Sequence, residues 1–250
     1  MIKNETIDNT LDPDEIERFS QIADEWWDPQ GKFRPLHQLN PVRLTYIRDE
    51  ICRHFGKNPR QPYPLKDLKV LDIGCGGGLL CEPMTRMGAK VTGVDPAHKT
   101  IQAARTHALE MELEIDYRTT RAEELLTAGE KFDVVVNMEV IEHVPDVPAF
   151  VKVTAGLMRT GGLMLASTLN RTVKSYGLAI IGAEYIMRWL PTGTHQWDRF
   201  VKPEELKKAL LDAGLEGVDL TGMSYNPLNG SWSLGSDMDV NYLASSRKPE

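Results

Sequence analysis

The segment Val70-Leu71-Asp72-Ile73-Gly74-Cys75-Gly76-Gly77-Gly78-Leu79 decides the fold, because a short apolar run ends there in a group of glycines. Such a run is typical of a buried parallel strand, and the residues that follow it have a helical pattern. Glycines at the turn allow positive φ and let a ligand approach the backbone, whose amides can bind polar groups. In an open sheet this turn lies at the carboxyl ends of the strands, where ligands bind. The segment therefore predicts an α/β domain with a binding cleft.

Strands and helices alternate along the chain from this turn onward. Short apolar runs predict five strands, at residues 69–74, 89–95, 114–118, 132–138 and 161–169. Helical patterns follow most of them, which predicts a Rossmann-like, doubly wound α/β sheet with right-handed crossovers. After a helix at 203–213, the stretches 215–224 and 239–247 predict an antiparallel pair that closes an otherwise parallel sheet.

Two helices are predicted ahead of the sheet. Pro13 lies just inside the first helix, with Asp12 as its cap, and a helical stripe of apolar residues extends to Trp26 and Trp27. A Gly/Pro loop leads to a second helix from about Val42 to Phe55. We interpret residues 1–250 as one domain, made of a helical cover and linker (1–65), a ligand-binding core (66–170), an apolar helical insertion (171–200) and a C-terminal helix with strands (201–250).

Composition excludes several classes of protein. The 250 residues carry 29 basic and 36 acidic side chains, a formal charge of -7, and the basic residues are scattered, so nucleic acid is not an expected partner. The cysteines Cys52, Cys75 and Cys81 form no metal-binding or CxxC spacing, which suits a reducing cytoplasm. The acidic N-terminus has no signal-peptide core, and no apolar run approaches the ~20 residues needed to span a bilayer. We expect a cytoplasmic protein that is soluble or, at most, peripheral to a membrane.

An acidic residue at the end of the second strand complements the glycine turn. Asp95 follows Gly74 by 21 residues, and a carboxylate at that place can accept both hydroxyls of a ribose. The GxGxxG fingerprint of dinucleotide-binding proteins is incomplete, because Leu79 occupies its last position. A tight turn with a helix cap would explain either feature alone but not both at this spacing. We therefore predict that Asp72, Gly74, Gly76 and Asp95 bind a nucleoside-containing ligand.

A second acidic group follows the fourth strand. If Met138–Pro145 turns helically, Glu139, Glu142 and His143 lie at i, i+3 and i+4 on one face. Two carboxylates and an imidazole suit Mg²⁺ or Mn²⁺, and a neutral His143 could instead act as a general base. The third alternative is that these side chains are solvated or capping residues and that the turn only positions Met138. The residues alone leave the three alternatives equal.

These motifs resemble a known family. VLDIGCGGG and VTGVD resemble the cofactor-binding signature of class I methyltransferases that use S-adenosylmethionine. The further segments EWWDPQGKFRPLHQLNPVRL, VNMEVIEHVPD, STLNRT, GAEYI, GTHQWDRFVKPEEL, YNPLNG and DVNY resemble one subfamily over nearly the whole chain. That subfamily is the ubiquinone biosynthesis O-methyltransferases, also called 3-demethylubiquinol 3-O-methyltransferases. The main departure is a longer linker near Lys57–Leu65.

The resemblance implies a class I methyltransferase fold and an activity. It implies transfer of a methyl group from S-adenosylmethionine to a phenolic oxygen of a polyprenylated ring, at 2-polyprenyl-6-hydroxyphenol and 3-demethylubiquinol. The family's cofactor positions fall on Arg43, Gly74, Asp95 and Met138, with Arg43 expected to pair with the methionine carboxylate. It also favours Mg²⁺ at Glu139, Glu142 and His143, with Glu142 and His143 as the expected catalytic residues.

The predicted insertion suggests where such a substrate is reached. Residues 172–191 are apolar over much of a helical circumference, with cations toward the ends, which suits either an interfacial helix or a packed lid over the cleft. We expect a prenylated phenol or quinol substrate and peripheral membrane contact through 172–191. Association with other enzymes of ubiquinone biosynthesis is left open.

Several residues have two interpretations. Trp26-Trp27 is expected to pack in the N-terminal helix, although its place in the family pattern allows a lid over the cofactor. Asn170 and Arg171 at the end of the fifth strand are candidates to touch substrate. His195 could line the substrate pocket, Glu123 could approach the adenine, and each could equally be an ordinary surface residue.

Three alternative functions stay open beside the main one. They are methylation of another small phenol or amine, a dinucleotide-dependent oxidoreductase, and a non-catalytic subunit with a methyltransferase fold. The intact glycine turn with Asp95 argues against the non-catalytic subunit, and Leu79 argues against the oxidoreductase.

Overall fold

A computed structural model describes residues 16–17, 23–177 and 197–250. Its centre is an eight-stranded sheet in the order β3-β2-β1-β4-β5-β8-β6-β7. The strands are β1 (Lys69–Ile73), β2 (Lys90–Asp95), β3 (Asp116–Thr119), β4 (Phe132–Met138), β5 (Met158–Leu169), β6 (Glu216–Asn226), β7 (Ser231–Gly235) and β8 (Asn241–Arg247). The helices are α1 (Arg34–His54), α2 (Cys81–Arg86), α3 (His98–Glu110), α4 (Ala122–Thr127), α5 (Val147–Leu157) and α6 (Pro203–Asp212), with short turns at Ala23–Glu25, Ile141–His143, Val173–Ser175 and Trp197–Arg199.

The order of the strands confirms the predicted doubly wound sheet. β1 to β5 are parallel to their neighbours, and β8 is antiparallel to both β5 and β6. Because β6 and β5 both run opposite to β8, β6 ends at the same edge of the sheet as β1, β4 and β5. The C-terminal strands thus return the chain to the edge where the glycine turn lies.

Helices cover both faces of the sheet, and alternate strand residues pack on opposite sides. Val70 and Val134 join the core beneath α1, α2 and α3, whereas Leu71 and Val135 join the core beneath α4, α5 and α6. Every residue of β4 is buried, as expected for a central strand covered on both faces. The sheet is therefore a rigid platform whose carboxyl edge carries the loops.

Two local predictions differ from the structure. Helix α1 begins at Arg34 rather than at Val42, because Pro35 starts the helix and the helix continues through Pro41. Trp26 and Trp27 lie in a turn after a 3-10 helix at Ala23–Glu25, not on a continuous helical stripe.

Helix α4 and strand β7 were not predicted, since both are short and polar. Residues 178–196 of the predicted insertion, with His195, lie outside the described residues. No helix among the described residues combines the length and hydrophobicity needed to cross a membrane.

Candidate functional site

One cavity collects all nine predicted site residues. It has a volume of about 560 Å³ and lies at the carboxyl ends of β1, β2 and β4. The predicted residues in its wall are Arg43, Asp72, Gly74, Gly76, Asp95, Met138, Glu139, Glu142 and His143. The cavity therefore brings the glycine turn and the acidic group after β4 to one place.

The glycine turn is shaped so that only glycine fits at its centre. Gly74 and Gly76 have φ of +68° and +54°, in the left-handed region. A Cβ on Gly76 would lie 2.3 Å from the Trp26 ring, and one on Gly74 would lie 2.6 Å from Val140. A side chain at either position would therefore clash with a packed neighbour, which explains why glycine occupies both places in the turn.

The two tryptophans cover the glycine turn. Trp26 lines the cavity and stacks on Phe33, with ring centroids 3.7 Å apart. Trp27 donates its ring N–H to the carbonyl of Gly77 at 2.9 Å and stacks on His107 at 3.5 Å. The tryptophans are packed, as expected, but they pack on the glycine turn rather than within a helix.

Asp95 is held by the turn it faces. Its Oδ2 accepts from the backbone N–H of Gly76 at 3.2 Å, and its Oδ1 accepts from that of Ala97 at 2.8 Å. Burial raises the pKa of Asp95 to about 6, although the two N–H donors oppose that rise. Each carboxylate oxygen can accept a further hydrogen bond, so the geometry fits a ligand with adjacent hydroxyls.

Asp72 is buried below the turn. Its side chain is 2% exposed and its Oδ2 accepts from the thiol of Cys81 at 3.2 Å. Burial raises the pKa of Asp72 to about 7, and the thiol hydrogen bond lowers it in part. Burial likewise raises the pKa of the Cys75 thiol to about 11, so this cysteine stays protonated at neutral pH.

Arg43 reaches the cavity from α1 and meets Glu139. Its side chain is 3% exposed, and Nη2 lies 2.7 Å from Glu139 Oε1. Ser167 on β5 holds the same carboxylate, because its hydroxyl donates to Glu139 Oε1 at 2.8 Å. Arg43 and Glu139 were predicted for different roles, and the structure pairs them.

Glu142 is the most deeply buried acid of the group. Thr168 donates its hydroxyl to Glu142 Oε2 at 2.7 Å, whereas Oε1 has no hydrogen-bond partner among the described residues. Burial and the nearby charge of Glu139 raise the pKa of Glu142, and His143 acts against that rise. A buried carboxylate with a raised pKa in a cavity is a candidate for proton transfer.

The shared helical face predicted for the metal ligands is not formed. Glu139 has φ +57° and lies outside the single 3-10 turn Ile141–His143, so Glu139, Glu142 and His143 do not share one face of a helical turn. Within 16–17, 23–177 and 197–250, no three acidic, histidine or cysteine side chains are grouped so that they could hold a metal ion. In this arrangement Glu139 is paired with Arg43 and is not grouped with Glu142 and His143.

Comparison with known proteins decides the family. Residues 37–220 match the family model described as a methyltransferase domain. The ubiquinone biosynthesis O-methyltransferase of Bartonella quintana is 58% identical over 240 residues, 96% of this chain and 97% of its own. That of Brucella ovis is 56% identical over 245 residues, 98% of this chain and 99% of its own. The chain belongs to the ubiquinone biosynthesis O-methyltransferase family.

Solved structures agree on the fold of this methyltransferase. The magnesium protoporphyrin IX methyltransferase of Synechocystis PCC 6803 with bound S-adenosylhomocysteine has a TM-score of 0.63 at 21% identity, covering 94% of this chain and 93% of that one. An S-adenosylmethionine-dependent methyltransferase of Thermotoga maritima has a TM-score of 0.64 at 17% identity, covering 94% and 98%. The predicted class I fold is confirmed, and the enzyme is an S-adenosylmethionine-dependent O-methyltransferase of ubiquinone biosynthesis.

Sequence reasoning missed one wall of the methyltransferase's cavity. Met223, Tyr225, Pro227 and Trp232 of the β6–β7 hairpin line it. The motif YNPLNG marked this place by resemblance and the strand at 215–224 was predicted, but the second strand of the hairpin, Ser231–Gly235, had no clear strand pattern. The wall adds apolar and aromatic surface to the cavity.

Of the residues that had two interpretations, some line the cavity and others do not. Glu123 lines the cavity, as one of its two interpretations required. Asn170 and Arg171 are not among the described residues that line the cavity. Asn170 donates to the Met238 carbonyl at 2.9 Å, and Arg171 donates to the Asp198 carbonyl at 3.1 Å. These two residues join the C-terminal segments to β5.

Proposed function

We propose that the enzyme methylates a phenolic hydroxyl of polyprenylated rings, 2-polyprenyl-6-hydroxyphenol and 3-demethylubiquinol. The observation that carries the proposal is one cavity lined by the glycine turn with Asp95, by the buried acid Glu142, and by apolar and aromatic residues of the β6–β7 hairpin. The hydroxyls of a phenolic head group suit the acidic residues, and a hydrocarbon tail suits the apolar ones.

The glycine turn supports the assignment of cofactor-binding residues. Gly74 and Gly76 allow the left-handed backbone of the turn that lines the cavity, Asp95 would accept the ribose hydroxyls and Met138 would contact apolar parts. Arg43 would hold the carboxylate of the methionine portion. When bound, S-adenosylmethionine supplies an electrophilic methyl group.

The acids support proton removal from the substrate. A phenol has a pKa near ~10, so little phenolate exists at neutral pH without a proton acceptor. Glu142 would take the proton, directly or through His143, because its raised pKa lies closer to neutrality than that of an exposed carboxyl group. Among the described residues these donors are not grouped as a metal site, so the proton transfer is assigned to Glu142 and His143 alone.

We also propose peripheral contact with a membrane, since a polyprenylated substrate resides in lipid. Most of the predicted segment 172–191 lies outside the described residues, but Val173 at its start is 85% exposed. Leu228 at the tip of the β6–β7 hairpin is 95% exposed, beside the cavity wall. Less co-sedimentation of a Val173→Glu, Leu228→Glu variant with liposomes would support the contact, and equal partitioning would refute it. Association with other enzymes of the pathway remains a proposal without a structural observation.

Turnover of a prenylated catechol tests the proposal. The enzyme is incubated with S-adenosylmethionine and either a long-chain or an unprenylated catechol, and the product is identified by mass spectrometry. We expect the methyl ether of the prenylated ring, formed faster than that of the unprenylated one. A faster reaction of the unprenylated catechol would refute the assignment of the apolar wall.

A further inference from the structure

The ion pair between Arg43 and Glu139 is unusual for a buried contact. The guanidinium is almost fully buried, yet no acceptor among the described residues is aligned for a hydrogen bond to its Nε or Nη2. The carboxylate of Glu139 lies in contact at 2.7 Å without that alignment. A buried charge with incomplete hydrogen bonding is unfavourable in free energy, so an anion with better-aligned acceptors should bind Arg43 more strongly than Glu139 does.

Glu139 is held in this position by constraints on both its backbone and its side chain. Its φ of +57° is in the left-handed region, which disfavours a residue with a Cβ. Ser167 fixes it from β5 with a hydroxyl donated to Oε1, and its oxygen also accepts from the Glu139 backbone N–H at 3.2 Å. The side chain therefore reaches Arg43 through a strained residue and one serine.

We propose that Glu139 is an internal stand-in for the carboxylate of the cofactor. It neutralises Arg43 while the cofactor is absent, and the carboxylate of the methionine portion displaces it. The inference rests on the proposed role of Arg43 but assigns Glu139 a role that is distinct from metal binding. Glu139 and the cofactor then compete for one guanidinium, so the ion pair weakens cofactor affinity.

The displacement also changes the middle of the cavity. While Glu139 is paired with Arg43, it is unavailable to any ligand near Glu142, whose Oε1 has no partner among the described residues. Once displaced, it places a second carboxylate beside Glu142, where the substrate hydroxyl would lie. Cofactor binding would thus precede and favour substrate binding, and linkage makes that coupling reciprocal.

Calorimetric titration with two ligands tests the proposal. The ligands are S-adenosylhomocysteine and its decarboxylated analogue, which keeps the amine and lacks the carboxylate. Both are titrated into the wild type, Glu139→Gln and Ser167→Ala. Ser167→Ala keeps the charge of Glu139 and removes only its support. We expect both variants to bind S-adenosylhomocysteine at least about fivefold more tightly, the lower end of typical coupling, and to bind the analogue as the wild type does.

Three results would overturn the inference. The first is unchanged affinity for S-adenosylhomocysteine in the variants. The second is weaker binding in Glu139→Gln, which would mean that Glu139 contacts the cofactor amine. The third is an equal gain in affinity for S-adenosylhomocysteine and for its decarboxylated analogue. Arg43→Gln separates this inference from the proposed function. If Arg43→Gln binds S-adenosylhomocysteine as the wild type does, the proposed role of Arg43 fails as well. If Arg43→Gln weakens binding while Glu139→Gln has no effect, only the stand-in role fails.

Discussion

Replacing Gly76 with alanine perturbs the glycine turn where Trp26 packs against it. The new Cβ would lie 2.3 Å from the Trp26 ring, so the ring must move. Alanine in the left-handed region costs about 1–2 kcal/mol. Overpacking against a stacked indole adds about 1–3 kcal/mol. Since Trp26 lines the cavity, its displacement should also weaken binding of S-adenosylhomocysteine at least about tenfold, equivalent to 1.4 kcal/mol.

Gly56 supplies the matched control. Its φ of +63° is close to the +54° of Gly76, and nothing lies within 4 Å of a Cβ built on it. Gly56→Ala should therefore lose only the conformational part, about 1–2 kcal/mol, and bind S-adenosylhomocysteine as the wild type does. Urea unfolding gives the stabilities, and calorimetry gives the affinities. Wild-type affinity in Gly76→Ala, or equal losses of stability in the two variants, would refute the account of the glycine turn.

Four further results are expected. Asp95→Ala should lower S-adenosylhomocysteine affinity tenfold or more, because each charge-assisted hydrogen bond contributes about 1.5–3 kcal/mol; unchanged affinity in calorimetry would remove Asp95 from the site. Glu142→Gln should lower kcat about 10²–10⁴-fold and remove the acidic limb of the pH–rate profile. Because the pKa of Glu142 is raised, that limb should lie well above the pH range in which an ordinary carboxyl group titrates. An unaltered profile would exclude Glu142 as the proton acceptor. Burial raises the pKa of Asp72 to about 7, so its contribution to the free energy of unfolding is fully present below pH ~4 and is lost as pH rises through 7. Between pH 5 and 8 the wild type should lose at most about 3 kcal/mol from this group, and Asp72→Asn should remove that loss in urea unfolding. The same pH dependence in both proteins would contradict the assignment. Electron paramagnetic resonance should detect no tight Mn²⁺ binding to the cofactor-free enzyme. Tight Mn²⁺ binding that is lost in Glu142→Gln would instead support the predicted metal site.

The sheet and the glycine turn could be predicted because their signals are local. The apolar run before Gly74 and the carboxylate at Asp95 each follow a strand, and parallel strands bring their carboxyl ends together. The start of α1 could not be predicted, because Pro35 and Pro41 are typical helix-breaking residues. Whether the helix tolerates them depends on the packing of α1, which the local sequence does not show.

The internal arrangement of the site was less predictable. The positive φ of Glu139 breaks the helical spacing on which the metal prediction depended. Its pairing with Arg43 joins α1 to the end of β4, and such a tertiary contact leaves no mark in the spacing of either segment. The same holds for Trp26, whose packing against Gly76 explains the glycine there only once both are seen in three dimensions.

The most direct test of the proposed substrate is the product itself. The enzyme, S-adenosylmethionine and 2-polyprenyl-6-hydroxyphenol are combined, and the position of the transferred methyl group is read by nuclear magnetic resonance. The account predicts a methyl ether on the ring hydroxyl, with Glu142→Gln forming it far more slowly at unchanged cofactor affinity. Methylation of a ring carbon, or no product from an enzyme that binds S-adenosylmethionine, would contradict it.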